Sequence, residues 1–175
     1  EKYSKFAYSS RFGFSIARAS YELGQMAPDS SLCFQVGRYC YQRDTAQPGY
    51  SIGPDGIETR WSPLDGIRVT TRIQPTPTGH LRTHVIQSDF DCAAWDCGFA
   101  VNADERLSPV RQADGPRAQA RCGADFCAVE SLEGDGRGEV LLPDTNIFPK
   151  TAIPLAAYAI RKGTQTIRTK VDYFS

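Results

Sequence analysis

"GIRVTTRIQPTPTGHLRTHVIQ" occupies residues 66–87, and its reading decides the fold. In the first half, Ile67, Val69 and Thr71 share one face of an extended chain, followed by Ile73. In the second half, Leu81, Thr83 and Val85 alternate with His80, Arg82 and His84. Successive strand side chains point to opposite faces, so both halves read as strands. Pro75-Thr76-Pro77-Thr78-Gly79 lies between them and is rich in residues that turn a chain.

The same pattern runs outward from this stretch. "SLCFQV" (31–36) places Leu32, Phe34 and Val36 on one face. Gly37-Arg38 then reads as a two-residue hairpin turn with glycine first. In that register Val36 faces Tyr39, Cys33 faces Gln42, and Cys40 faces Gln35. "GEVLLPD" (138–144), "TAIPLAAYAI" (151–160) and "TQTIRTKVDYF" (164–174) read as later strands. Turn clusters at 47–49, 54–56, 63–66, 134–138 and 162–163 separate the strands. "GDGRG" (134–138) reads as a turn, since no helix follows to make it a phosphate cradle. Turns at this spacing predict an all-β fold, an antiparallel two-sheet β-sandwich of roughly ten to twelve strands. Sheet edges at "YSKFAYSS" (3–10) or "TQTIRTKVDYF" are expected to be covered in an intact protein or an oligomer. Residues 103–120 are polar and carry Pro109 and Pro116, and they are expected to form a long polar loop. One short helical turn fits 21–26.

The chain has 175 residues, and its 20 basic side chains equal its 20 acidic ones. Zero net charge gives no electrostatic reason to expect nucleic acid or an anionic membrane as partner. No apolar run approaches the roughly 20 residues that span a bilayer. Residues 1–175 are read as a single domain. The chain enters at Glu1 into an aromatic-rich alternation without an initiating Met, so it is expected to be the C-terminal fragment of a longer chain.

Six cysteines fall into local pairs: Cys33/Cys40, Cys92/Cys97 and Cys122/Cys127. None has the C-x2-C spacing of a zinc site, so no metal is expected. Cys33 and Cys40 are diagonal neighbours about 7–8 Å apart, too far for an easy disulfide. Cys92 and Cys97 lie about 17 Å apart if extended. Only Cys122 and Cys127 could face each other, if 123–126 is the turn. Most of the cysteines read as small buried hydrophobes. The compartment stays open, with a soluble, cytoplasmic setting favoured.

His80, Arg82 and His84 are the first site candidates. Two imidazoles and a guanidinium on one face could grip a carboxylate or sulfate, with Arg as a bidentate fork. The alternative is a polar sheet face under solvent or a neighbouring domain. As a metal site the set is weak, because Arg repels a cation, and no nucleophile lies nearby for catalysis. Tyr3, Lys5, Tyr8 and Arg11 interleave with Phe6, Phe12 and Phe14. They read as a sugar-stacking surface, a domain seam or an edge strand. Asp55, Glu58 and Asp65 lie near turns, and Asp89, Asp91 and Asp96 flank Trp95, but no carboxylate pair stands out for glycoside hydrolysis. No nucleotide-binding or nucleophile-elbow motif occurs, and no cofactor is expected.

"KYSKFAYSSRFGFS" (2–15), "APDSSLCF" (27–34), "GIETRWSPLDGIRVTT" (56–71), "GHLRTHVI" (79–86), "WDCGFAV" (95–101) and "TNIFPKTAIPLAAYAI" (145–160) occur in this order. Together they resemble the C-terminal part of the domain-of-unknown-function 2264 family. The resemblance implies a β-sandwich companion to an N-terminal α/α toroid, as in uronic-acid-specific hydrolases and heparinase-like lyases. It places the main catalytic carboxylates in the toroid, which would be this domain's partner, with an acidic oligosaccharide as ligand. His80, Arg82 and His84 would then contact an acidic sugar or the toroid. Tyr3, Lys5, Tyr8 and Arg11 would line the junction, with Trp61 and Trp95 as further stacking candidates. A freestanding carbohydrate-binding module and a purely structural domain are the alternatives.

Overall fold

The computed structural model describes residues 32–37, 39–42, 50–101, 107–142 and 151–174. These hold thirteen strands and, among the described residues, no helix. In chain order they begin β1 (Leu32–Val36), β2 (Tyr39–Gln42), β3 (Tyr50–Gly53), β4 (Gly56–Leu64), β5 (Ile67–Thr76) and β6 (Gly79–Ser88). They continue β7 (Cys92–Cys97), β8 (Val110–Asp114), β9 (Arg117–Cys122) and β10 (Asp125–Glu133). The last three are β11 (Arg137–Leu141), β12 (Ile153–Ile160) and β13 (Gly163–Phe174). One sheet has eight strands in the order β3-β4-β5-β6-β13-β10-β9-β8, and the other has five in the order β11-β12-β7-β1-β2. The molecule is an all-β, antiparallel two-sheet sandwich, as the alternation predicts.

Residues 66–87 form the centre of the larger sheet. Thr71 lies opposite His84, and Val69 opposite Ile86. The β1–β2 hairpin has the expected register, with Cys33 opposite Gln42, Gln35 opposite Cys40 and Val36 opposite Tyr39. Gly37 takes φ +61°, the left-handed conformation such a turn needs.

Three expectations are corrected. Most of the presumed loop 103–120 is the β8–β9 hairpin, with Gln112 opposite Gln119. Its turn is Gly115-Pro116, and Gly115 has φ +52°. Pro116 therefore sits where no ladder N–H is needed, and Pro109 precedes β8, so neither proline interrupts a strand. "TQTIRTKVDYF" is not an edge: β13 pairs with β6 on one side and β10 on the other. Cys122 and Cys127 do not face each other, because the turn is Gly123-Ala124 alone. Cys122 pairs with Asp125, and Cys127 with Ala120. Five of the six cysteines are seen as free thiols. The stretches 3–10 and 21–26 lie outside the described residues.

The inter-sheet core joins Leu32, Phe34, Trp61, Ile67, Val69, Ile86, Val129, Tyr158, Ile160, Ile167 and Val171. Cys33, Trp95, Cys97, Leu141, Ile153 and Leu155 form a second cluster. Neighbours along β1, β7 and β12 enter different clusters, so these three strands of the five-stranded sheet are buried on both faces. That burial suits "IPLAAYAI", a nearly continuous apolar run.

Candidate functional site

The alternation of β6 is as expected, but its polar face points inward. His80, Arg82 and His84 are 4%, 1% and 0% exposed, whereas Val85 on the opposite face is 41% exposed. Buried charge must find partners, and here the partner comes from the facing sheet. Asp96 of β7 is fully buried. Its Oδ1 lies 3.1 Å from Arg82 Nη1, and its Oδ2 lies 3.2 Å from His84 Nε2. Arg82 Nη2 also donates to the Cys97 carbonyl at 2.8 Å. One guanidinium thus joins β6 to two successive residues of β7 and ties the sheets together.

The network continues on both sides. Trp61 Nε1–H donates to Thr71 Oγ1 at 3.0 Å, and Thr71 Oγ1 lies 2.8 Å from His84 Nδ1. Indole is a donor only, so the Thr71 proton is available for the imidazole. Thr71 can donate to Nδ1 while Nε2–H donates to Asp96 Oδ2. On the other side Thr169 hydrogen-bonds Asp96, and Tyr158 Oη lies 2.8 Å from Thr169 Oγ1. Burial by itself would raise the Asp96 carboxyl, but Arg82, His84 and the Thr169 hydroxyl together hold it well below the usual range. The arrangement keeps a carboxylate ionised between two sheets. It gives the set the character of an inter-sheet clamp.

His80 differs from its two strand neighbours. Its Nε2 is buried and has no hydrogen-bond partner among the described residues. Its ring packs against Tyr173 and Phe99, with centroids 5.6 and 6.1 Å away. Burial, and then the Arg82 charge, lower it to about 4, against an opposing pull from Asp96. It is neutral at physiological pH. Beside it, the Phe99 N–H points at Cys127 Sγ, and burial pushes that thiol up to about 12, which leaves it unreactive.

The remaining candidates are separate from this cluster. Trp61 and Trp95 are buried in different core clusters, Trp61 edge-on to Phe34, so neither offers a ring face at the surface. Tyr3, Lys5, Tyr8 and Arg11 lie outside the described residues. The sequence does not single out Asp96, because nothing local marks it apart from Asp89 and Asp91. The available signal was its place in "AAWDC", a carboxylate inside an apolar strand, which requires a buried cation opposite. Among the described residues no group of three or more His, Cys, Asp or Glu could hold a metal ion. Among them, too, no helix is long and apolar enough to cross a membrane.

The family model of the DUF2264 C-terminal domain matches residues 1–168. The chain belongs to this family. No curated protein sequence matches this DUF2264 C-terminal domain. Its fold is similar to part of the heparan sulfate lyase of Pedobacter heparinus, with TM-score 0.55, 11% identity, and coverage of 83% of this chain and 24% of that one. It is also similar to the 4-α-glucanotransferase of Thermococcus litoralis, with TM-score 0.56, 11% identity, and coverage of 82% and 27%. A heparinase III, the BT4657 gene product, matches at TM-score 0.52 and 8% identity over 83% of this chain and 24% of that one. The DUF2264 domain therefore spans about a quarter of each of these chains, and at such identities the likeness is one of fold.

Proposed function

We propose that this sandwich is the C-terminal accessory domain of a larger carbohydrate-active enzyme that acts on uronic-acid-containing glycans. The main catalytic groups would lie in an N-terminal α/α toroid of the same parent chain. One observation carries the reading. The fold matches more than four-fifths of this chain to only a quarter of two enzymes named for heparan sulfate and heparin cleavage. The inward-facing Arg82–Asp96–His84 clamp supports it as well, because it spends the most distinctive polar residues on holding the sheets together. In this reading the domain is a rigid body against which a catalytic domain packs. His80, Arg82 and His84 serve that rigidity, and Tyr3, Lys5, Tyr8 and Arg11 serve the junction.

The test is cleavage of heparan sulfate and other uronate polysaccharides by the parent chain and by residues 1–175 alone. Product is followed as unsaturated uronate for elimination and as new reducing ends for hydrolysis. The expected result is turnover by the parent and none by the isolated domain. Turnover by residues 1–175 alone would overturn the placement of the catalytic groups.

A further inference from the structure

A polar groove opens at the β3 edge of the eight-stranded sheet, on the face opposite the buried clamp. It is lined by Ser51, Gly53, Pro54, Asp55, Ile57, Glu58 and Arg72, with Gly56, and its volume is about 220 Å³. That is below the roughly 300–1,000 Å³ of pockets for drug-sized ligands, so it has room for one ring. The sequence builds it from "GPDG", a tight turn in which Gly53 lies opposite Gly56. Gly56 has φ +131°, and a Cβ there would fall 2.0 Å from the Ile73 carbonyl oxygen, so this position is confined to glycine. Gly53 is different. The nearest heavy atom to a Cβ there is 4.0 Å away, which leaves the groove floor bare.

Ser51, Glu58 and Arg72 lie side by side on adjacent strands. Arg72 Nη2 lies 3.1 Å from Glu58 Oε2 and Arg60 Nη2 lies 3.7 Å from Oε1, and the two guanidiniums hold the carboxylate while its further lone pairs can accept from a ligand. Asp55 has no ion pair among the described residues and stands at the turn as a second acceptor. The groove thus offers two carboxylates, a guanidinium and a hydroxyl beside the Pro54 ring. Paired acceptors and donors beside a proline ring match the vicinal hydroxyls and a C–H face of a pyranose. Asp55 and Glu58 are balanced by Arg72 and by Arg60, whose Nη2 lies 3.7 Å from Glu58 Oε1, so the groove has no net charge to draw in a uronate or sulfate.

We infer that this groove binds one uncharged hexose unit of a glycan, with Asp55 and Glu58 accepting its hydroxyls and Arg72 donating to them. The inference rests on the glycan-active reading of the parent only for the choice of ligand class. It adds that the accessory domain grips a neutral residue, separate from any acidic sugar cut elsewhere.

The experiment is calorimetric titration of residues 1–175 with maltohexaose, cellohexaose and a heparan-derived hexasaccharide. Two variants follow: Gly53→Leu, which fills the groove, and Glu58→Gln, which removes an acceptor charge. The expected result is binding of a neutral oligosaccharide that weakens at least about tenfold in both variants, each still unfolding in one cooperative thermal transition. No binding of either neutral oligosaccharide, binding of the acidic one alone, or binding indifferent to Gly53→Leu would overturn the inference. Failure here leaves polysaccharide cleavage by the parent untouched, so the two proposals fail separately.

Discussion

The same chemical pair occurs in two settings in this molecule. Arg82 and Asp96 meet at 3.1 Å between the sheets, and Arg72 and Glu58 meet at 3.1 Å on the outer face. The distances are equal, but the side chains are 2% and 0% exposed in the first pair and 57% and 29% in the second. Water screens the outer pair and would solvate either member left alone. Burial withdraws the inner pair from bulk solvent, so each charge there depends on the other. Burial, rather than geometry, sets what each pair does for the fold.

The largest effect should follow from breaking the inner pair. Asp96→Ala leaves Arg82 charged and buried and should cost about 3–5 kcal/mol of unfolding free energy. Arg82→Met together with Asp96→Leu removes both charges and should recover much of that loss. Urea denaturation of the single and double variants measures this. A single-variant cost near that of a surface substitution would mean that the clamp is hydrated.

Acid should sharpen the contrast. His80 falls from 6.5 to about 4 in the folded state, so between those values the unfolded chain binds more protons. Stability should therefore decline as pH drops from about 6.5 to about 4, by up to about 3 kcal/mol, and this term should flatten below. His80→Leu should remove the decline in this window. Asp96 is shifted downward, so its contribution is present above about pH 4 and is lost only on further acidification. Unfolding midpoints across the two windows separate the groups.

A smaller effect is expected one hydrogen bond out. Thr71→Val leaves the Trp61 indole N–H and His84 Nδ1 without their shared partner, at a cost of about 1–3 kcal/mol. Near-UV circular dichroism of the buried Trp61 reports the local change. The smallest effect belongs to the outer pair: Glu58→Gln should shift stability by no more than about 1 kcal/mol, and raised salt should erase the difference. A larger shift would show that the outer face is less hydrated than its exposure implies.

Much of this was open to reading, for identifiable reasons. Hairpin registers depend on turn residues a few positions apart, so Gly37 sufficed to place Cys33 opposite Gln42. The family was legible because its segments are collinear along the chain. The β8–β9 hairpin is obscured in the sequence because prolines disfavour strands, whereas a proline in the turn itself leaves the ladder intact. The orientation of His80, Arg82 and His84 was not legible. Alternation establishes that they share a face, but Leu81, Thr83 and Val85 made the other face look equally suited to the core.

By itself, then, the chain specified strands, turns, local registers and the sandwich class, since period-2 patterning and glycine conformations act over a few residues. Tertiary structure decided which side of β6 is inside, because that choice depends on Asp96 arriving from the facing sheet. It also decided that β13 lies within a sheet, through its pairing with both β6 and β10. These are contacts between segments distant in sequence, and their energies depend on a dielectric environment that exists only once the two sheets have closed.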